Sequence, residues 1–209
     1  MSDADQNLTR VLEQLESQWR RIGAPIAERL APGKSDGHLA AVFSASDLHL
    51  PAEVRRLWGW HDGVRRLQAG TRLGMESRVG PGGWEFLSLT EAMDERSLML
   101  GVCGRTHYPA DDRDWDGYWR PSWLPLFAFD ANLVFVDLAR SSHGNSPVHL
   151  WSAEPEDVGV ARTASLTDLL AIWVGLLDEG YYWWSADQGG WWMDRRQDVP
   201  YPLIRSGLL

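Results

Sequence analysis

The chain has 209 residues, 44% apolar and 23% charged, the balance of an ordinary globular domain with one sizeable core. It lacks the run of about 18 apolar residues that a membrane-spanning helix needs, and a single cysteine, Cys103, excludes an internal disulfide. The net charge of −9 resides in residues 71–209, with eleven Lys/Arg against twenty Asp/Glu, because residues 1–70 balance nine against nine; an acidic surface repels phosphate and argues against nucleic acid as a ligand.

The first segment, MSDADQNLTR, lacks the basic and apolar regions of a signal peptide, which with the lone cysteine sets a cytoplasmic expectation. Leu8, Val11, Leu12, Leu15, Trp19, Ile22 and Ile26 recur at helical spacing, with Gly23 and Pro25 dividing the helix near its end. APGKSDG (31–37) reads as a loop, followed by a short helix around Leu39 to Ala45. LPAEVRRLWGWHDG (50–63) reads as a proline-started helix. Val54, Leu57 and Trp58 form its apolar stripe, Glu53, Arg55 and Arg56 face away, and Gly63 ends it, with His61 and Asp62 in the last turn.

Residues 71–84 are Gly-rich and loop-like, and Trp84 to Leu87 reads as a short strand. Ser88 and Glu91 make a capping box that opens a helix to about Leu100. Residues 101–122 are irregular. LPLFAF and LVFVDL flank Asp130-Ala131-Asn132 as a hairpin with a three-residue turn, and PVHLWS is a further strand after the polar loop 141–146. A second capping box, Ser165 and Asp168, opens a helix with a stripe from Leu166 to Leu177, stopped by Gly180. YYWW (181–184) and WWM (191–193) around SADQGG read as a second hairpin. Its aromatics pack on the core or form an exposed binding patch, and the pattern leaves both open.

The chemical motifs are weak. His61-Asp62 matches the metal-binding dipeptide of one class of phosphohydrolases, but that class needs another upstream His and a distant Asp on converging helices; the upstream His38 and His49 lie near loops. Asp112-Arg113-Asp114-Trp115-Asp116-Gly117 copies the start of a calcium loop. Its twelfth position, however, is Trp123 instead of Glu, and its ninth is Arg120, so an acidic surface loop is the better reading. Cys103 has His107 nearby without a third group to orient the pair. No residue set makes a positive case for catalysis. Thirteen tryptophans suit a core, an interface or a sugar-stacking site alike.

In order and spacing these blocks resemble the SUKH superfamily, which includes fungal regulators of cell-wall assembly and bacterial toxin-immunity proteins. The resemblance rests on Leu50-Pro51, Leu57 and His61-Asp62-Gly63, then on Trp123 to Asp130 with Pro125, and on Phe135 to Leu138 with Asp137. Gly144 to Trp151, Ala164-Ser165-Leu166 with Leu169, Leu170 and Trp173, and Trp19 in the first helix add to it. It covers residues 8–180 in blocks. Departures are a hairpin turn without the usual Gly, an apparent insertion at 101–122 and an extension at 181–209.

The resemblance and the pattern together set the expectations. The fold class is α+β, a single domain over residues 1–209. Its central sheet is mainly antiparallel, with N-terminal helices and a C-terminal helix packed on it. The resemblance implies a non-enzymatic binding module without metal or cofactor, in which Leu50, Pro51, His61, Asp62, Gly63, Trp123, Pro125 and Asp137 are structural. The leading reading is an immunity protein that neutralises a toxin of basic surface through Asp111, Asp112, Asp114, Trp115, Asp116 and Trp119. The alternatives are a regulatory scaffold, a metal-dependent phosphohydrolase using His61 and Asp62, and a carbohydrate binder using Trp191 and Trp192.

Overall fold

A computed structural model of the chain describes residues 3–65, 74–103, 119–141, 145–152 and 160–193. α1 (Asp3–Arg21) ends before Gly23, whose φ of 70° turns the chain into the single-turn α2 (Ile26–Arg29). The segment expected as a loop from residue 31 contributes β1 (Leu30–Pro32), and α3 (Asp36–Ala45) starts at Ser35, whose hydroxyl accepts from the His38 amide. α4 (Ala52–Trp60) follows Pro51.

His61 and Asp62 do not close α4; they open β2 (His61–Val64), which pairs antiparallel with β1. His61 is extended at φ −145° and ψ 149°, because α4 exhausts its apolar stripe at Trp58 and the chain then finds a strand partner in Leu30–Pro32. Gly63 does adopt a positive φ, 72°, but inside a strand instead of at a helix end.

β3 (Glu85–Phe86), β4 (Trp123–Phe129), β5 (Asn132–Asp137) and β6 (Val148–Trp151) form an antiparallel sheet in that order. Asn132 pairs with Phe129, so the hairpin turn is the two residues Asp130-Ala131, not three. Asp130 takes φ 49°, a conformation that the short Asp side chain tolerates, and so fills the place of a turn glycine. α5 (Leu89–Cys103) carries the first capping box: Ser88 Oγ accepts from the Glu91 amide at 3.2 Å, and Glu91 Oε2 accepts from the Ser88 amide at 2.9 Å. α6 (Leu166–Asp178) is capped by Ser165, which accepts from the Asp168 amide at 3.0 Å, and Gly180 at φ 74° lets the Tyr181 amide return to the Leu176 carbonyl. β7 (Tyr182–Ser185) and β8 (Gly190–Met193) make the second hairpin.

The result is a single α+β domain. Val134, Val136 and Val148 face a core shared with α1, α4 and α6, whereas Leu133 and Phe135, one residue out of step, face a second cluster with Trp123, Trp119 and Met99. Burial on both faces explains why β5 reads as a continuous apolar run. A bulge between Pro125 and Phe127 puts Leu126 and Phe127 in succession into the larger core and accommodates a proline in an inner strand.

Candidate functional site

The His-Asp-Gly stretch is a joint in the backbone. His61 Nδ1 donates to the Ala31 carbonyl at 2.9 Å, holding β2 to β1, and its Nε2 lies 3.7 Å from Glu16 of α1. Trp60 Nε1 donates to the same Glu16 carboxylate at 3.2 Å. Asp62 Oδ1 accepts from the amide of Leu89, the first residue of α5, at 2.8 Å, while Oδ2 pairs with Lys34 at 2.9 Å. A Cβ on Gly63 would lie 2.4 Å from the Ser88 amide nitrogen, so only glycine lets β2 pass against the start of α5. Each residue of the motif therefore has a structural partner, and among the described residues no group of three or more His, Cys, Asp or Glu is placed to hold a metal ion.

Glu53, expected to face solvent, is 2% exposed. One of its carboxylate oxygens accepts from the Ser146 amide at 2.6 Å and the Leu166 amide at 3.2 Å. The other accepts from the Thr167 amide at 2.9 Å and from the Thr167 hydroxyl. The charge thus lies in the first turn of α4 and against the first amides of α6, where both helix dipoles favour an anion. Nothing in a lone Glu after Pro-Ala signals this, since its partners are about a hundred residues away in the chain.

The remaining motif residues are packed into the fold as well. Leu50 is half-buried against the core and Pro51 is buried at the head of α4. Trp123 is 1% exposed and stacks on Phe135 at 4.4 Å, and Pro125 is buried. Asp137, 3% exposed, accepts from Ser122 Oγ at 2.8 Å and the Ala139 amide at 3.1 Å, tying the two ends of the hairpin.

Of the expected contact residues, Asp111, Asp112, Asp114, Trp115 and Asp116 lie outside the described residues, as does His107. Trp119 is described and is not at the surface. It is 3% exposed, set edge-on to Trp123 at 5.6 Å, because the apolar face of β4 and β5 away from the main core needs a cover.

The structure adds a feature that no local pattern announced. An apolar cleft of about 460 Å³ opens between the second hairpin and the Gly82-Gly83 turn, walled by Met75, Phe129, Tyr182, Trp191, Trp192 and Met193. Tyr182 and Trp191 stack at 5.0 Å, and Trp191 Nε1 donates to the Arg78 carbonyl at 3.1 Å, so the inner face of the hairpin is fixed. Burial raises the Tyr182 phenol above its ordinary value, against the opposing pull of the Gly83 backbone and Arg78. Arg78 is neutralised by Glu85 at 3.0 Å and lies over the Phe129 ring at 5.2 Å. The outer face carries a cross-strand pair, Trp183 and Trp192, at 39% and 45% exposure, and Met75 is 41% exposed. The hairpin divides by face: Tyr182 and Trp191 are buried in the core, and Trp183 and Trp192 are exposed.

Compared with known proteins, residues 34–172 match the family model described as the SMI1/KNR4 family (SUKH-1). No curated protein matches the chain. The matched span runs from Lys34, the partner of Asp62, into α6, and so contains Glu53, the His-Asp-Gly joint and the central sheet. No helix among the described residues is long and apolar enough to cross a membrane.

Proposed function

This chain belongs to the SMI1/KNR4 family (SUKH-1), and on that premise we propose that it is a protein-binding module without catalysis, an immunity protein that sequesters a toxin of basic surface in the cytoplasm. The family match is the observation that carries the reading, and the charge asymmetry supports it. Twenty Asp/Glu against eleven Lys/Arg over residues 71–209 would steer a basic partner and raise the association rate. The contact surface is proposed at Asp111, Asp112, Asp114, Trp115 and Asp116, between α5 and the buried anchor Trp119.

Affinity capture with the purified chain, presenting the products of adjacent genes, tests the reading; recovery of one tight partner with a basic domain is expected. The triple variant Asp112→Lys, Asp114→Lys, Asp116→Lys should then associate at least about tenfold more slowly at low salt, with the difference closing as salt screens the charges. Capture of no partner, or a partner indifferent to the triple variant, counts against immunity through this loop. A second reading, a regulatory scaffold with several weak partners, draws support from the exposed Trp183 and Trp192, which offer a further apolar surface. Several micromolar partners and no tight one would favour it.

A further inference from the structure

The register of β7 and β8 sorts the aromatic side chains of the second hairpin between two faces. Tyr182, Trp184 and Trp191 share the inner face, where Trp191 meets the other two rings at 5.0 and 5.6 Å. Trp183 and Trp192 are direct cross-strand partners on the outer face, which brings their Cβ atoms to about 5 Å. Among the described residues, neither outer ring meets another ring or a cation. Two neighbouring indole faces are thus open to solvent.

The charge around this pair has one sign. Residues 178–193 contain Asp178, Glu179 and Asp187 and no Lys or Arg. Glu179 and Asp187 are exposed and, among the described residues, have no ion-pair partner, whereas Asp178 accepts from Gln18 at 2.9 Å and lies 3.7 Å from Arg21. Asp178 and Glu179 stand at the carboxyl end of α6, whose last turn holds no basic residue. Two carboxylates at the negative pole of a helix dipole cost the helix stability, and a cation arriving from outside relieves that cost. The geometry points to the outer face of the β7–β8 hairpin as a docking surface for an arginine-bearing segment of a partner protein.

A guanidinium matches both halves of the surface. It is planar and weakly hydrated, so it stacks on indole faces, and it keeps its charge for the carboxylates beside them. A phosphate backbone or an anionic lipid surface would meet like charge here. A purely apolar segment would cover Trp183 and Trp192 and leave Glu179 and Asp187 uncompensated. The inference rests on the reading of the chain as a binding module and adds to it a surface carried by other residues than 111–116.

The test titrates the full chain, labelled with fluorinated tryptophan, with a short peptide in which arginine alternates with serine. The resonances assigned through Trp183→Phe and Trp192→Phe should move, and citrulline or norleucine in place of arginine should weaken binding at least about tenfold. Trp183→Thr with Trp192→Thr, both exposed and both replaced by a strand-compatible residue, should weaken it about tenfold as well. Glu179→Gln with Asp187→Asn should weaken it about threefold and flatten its salt dependence. The Asp112→Lys, Asp114→Lys, Asp116→Lys variant should still show both shifts. Unmoved resonances at millimolar peptide would overturn the proposal. So would equal binding of the citrulline or norleucine peptide, or loss of the shifts in the triple lysine variant, which would place the peptide on the other loop. No toxin enters this experiment, so its failure removes the hairpin surface and leaves the reading of residues 111–116 to its own test.

Discussion

Glu53 accepts hydrogen bonds from three backbone amides and a hydroxyl at 2% exposure, and these donors belong to two separate later segments, Ser146 and the start of α6. Removing the carboxylate leaves buried donors without partners, the costliest kind of polar deletion. Glu53→Ala should destabilise the fold by about 4 kcal/mol, and Glu53→Gln, which keeps one acceptor but turns an amide group toward other donors, by about 2 kcal/mol. Urea midpoints at an unchanged slope read these losses; a Glu53→Ala midpoint within error of the parent would mean that water replaces the carboxylate. Tyr182 supplies a pH signature. Its folded phenol titrates above the ordinary value of 10.0, so its contribution is complete below that value and is lost as pH rises beyond it. Tyr182→Phe should therefore show a shallower loss of stability above pH 10 than the parent, and parallel alkaline limbs would refute the assignment.

At the scale of elements, the glycines of β2 and α6 separate two costs that sequence alone merges. Gly63 and Gly180 have nearly the same φ, 72° and 74°, but a Cβ meets the Ser88 backbone at 2.4 Å in the first case and nothing within 4 Å in the second. Gly180→Ala should cost about 1 kcal/mol for the left-handed backbone alone. Gly63→Ala should cost about 3 kcal/mol, because β2 must also move away from the start of α5. Thermal unfolding of the two variants side by side reads the difference, and equal shifts would mean that β2 yields easily. The same pair marks what was legible in the sequence. Periodicity and capping boxes give α1, α5, α6 and both hairpins, because those signals act within a few residues. The positive φ of Gly63 was legible too; its place was not, because β2 exists only through pairing with Leu30–Pro32. Glu53 stayed hidden for the same reason, and so did the cleft, whose walls run from Met75 to Met193.

Across the whole molecule, the first and last described elements share one core. Leu8, Val11, Leu12 and Leu15 of α1 share a cluster with Leu169, Leu170 and Trp173 of α6 and with Tyr182 and Trp191 of the second hairpin, while Gln18 donates to Asp178 at 2.9 Å on the surface above it. Glu53 ties α4 to the start of α6, and Asp62 ties β2 to α5, so the elements outside the sheet are linked through the 53–63 stretch. The hairpin at 182–193 lies beyond the family match at 34–172, and its Tyr182 and Trp191 belong to this same core. A chain wired in this way should lose helix and tryptophan environment together. Urea unfolding followed by far-ultraviolet circular dichroism and by the combined fluorescence of thirteen tryptophans is expected to give one coincident transition. Because four of the thirteen tryptophans, Trp183, Trp184, Trp191 and Trp192, lie in this hairpin, an earlier fluorescence transition at constant helicity would reveal a hairpin that opens by itself. In that case the walls of the cleft would be a local element that folds on a rigid frame.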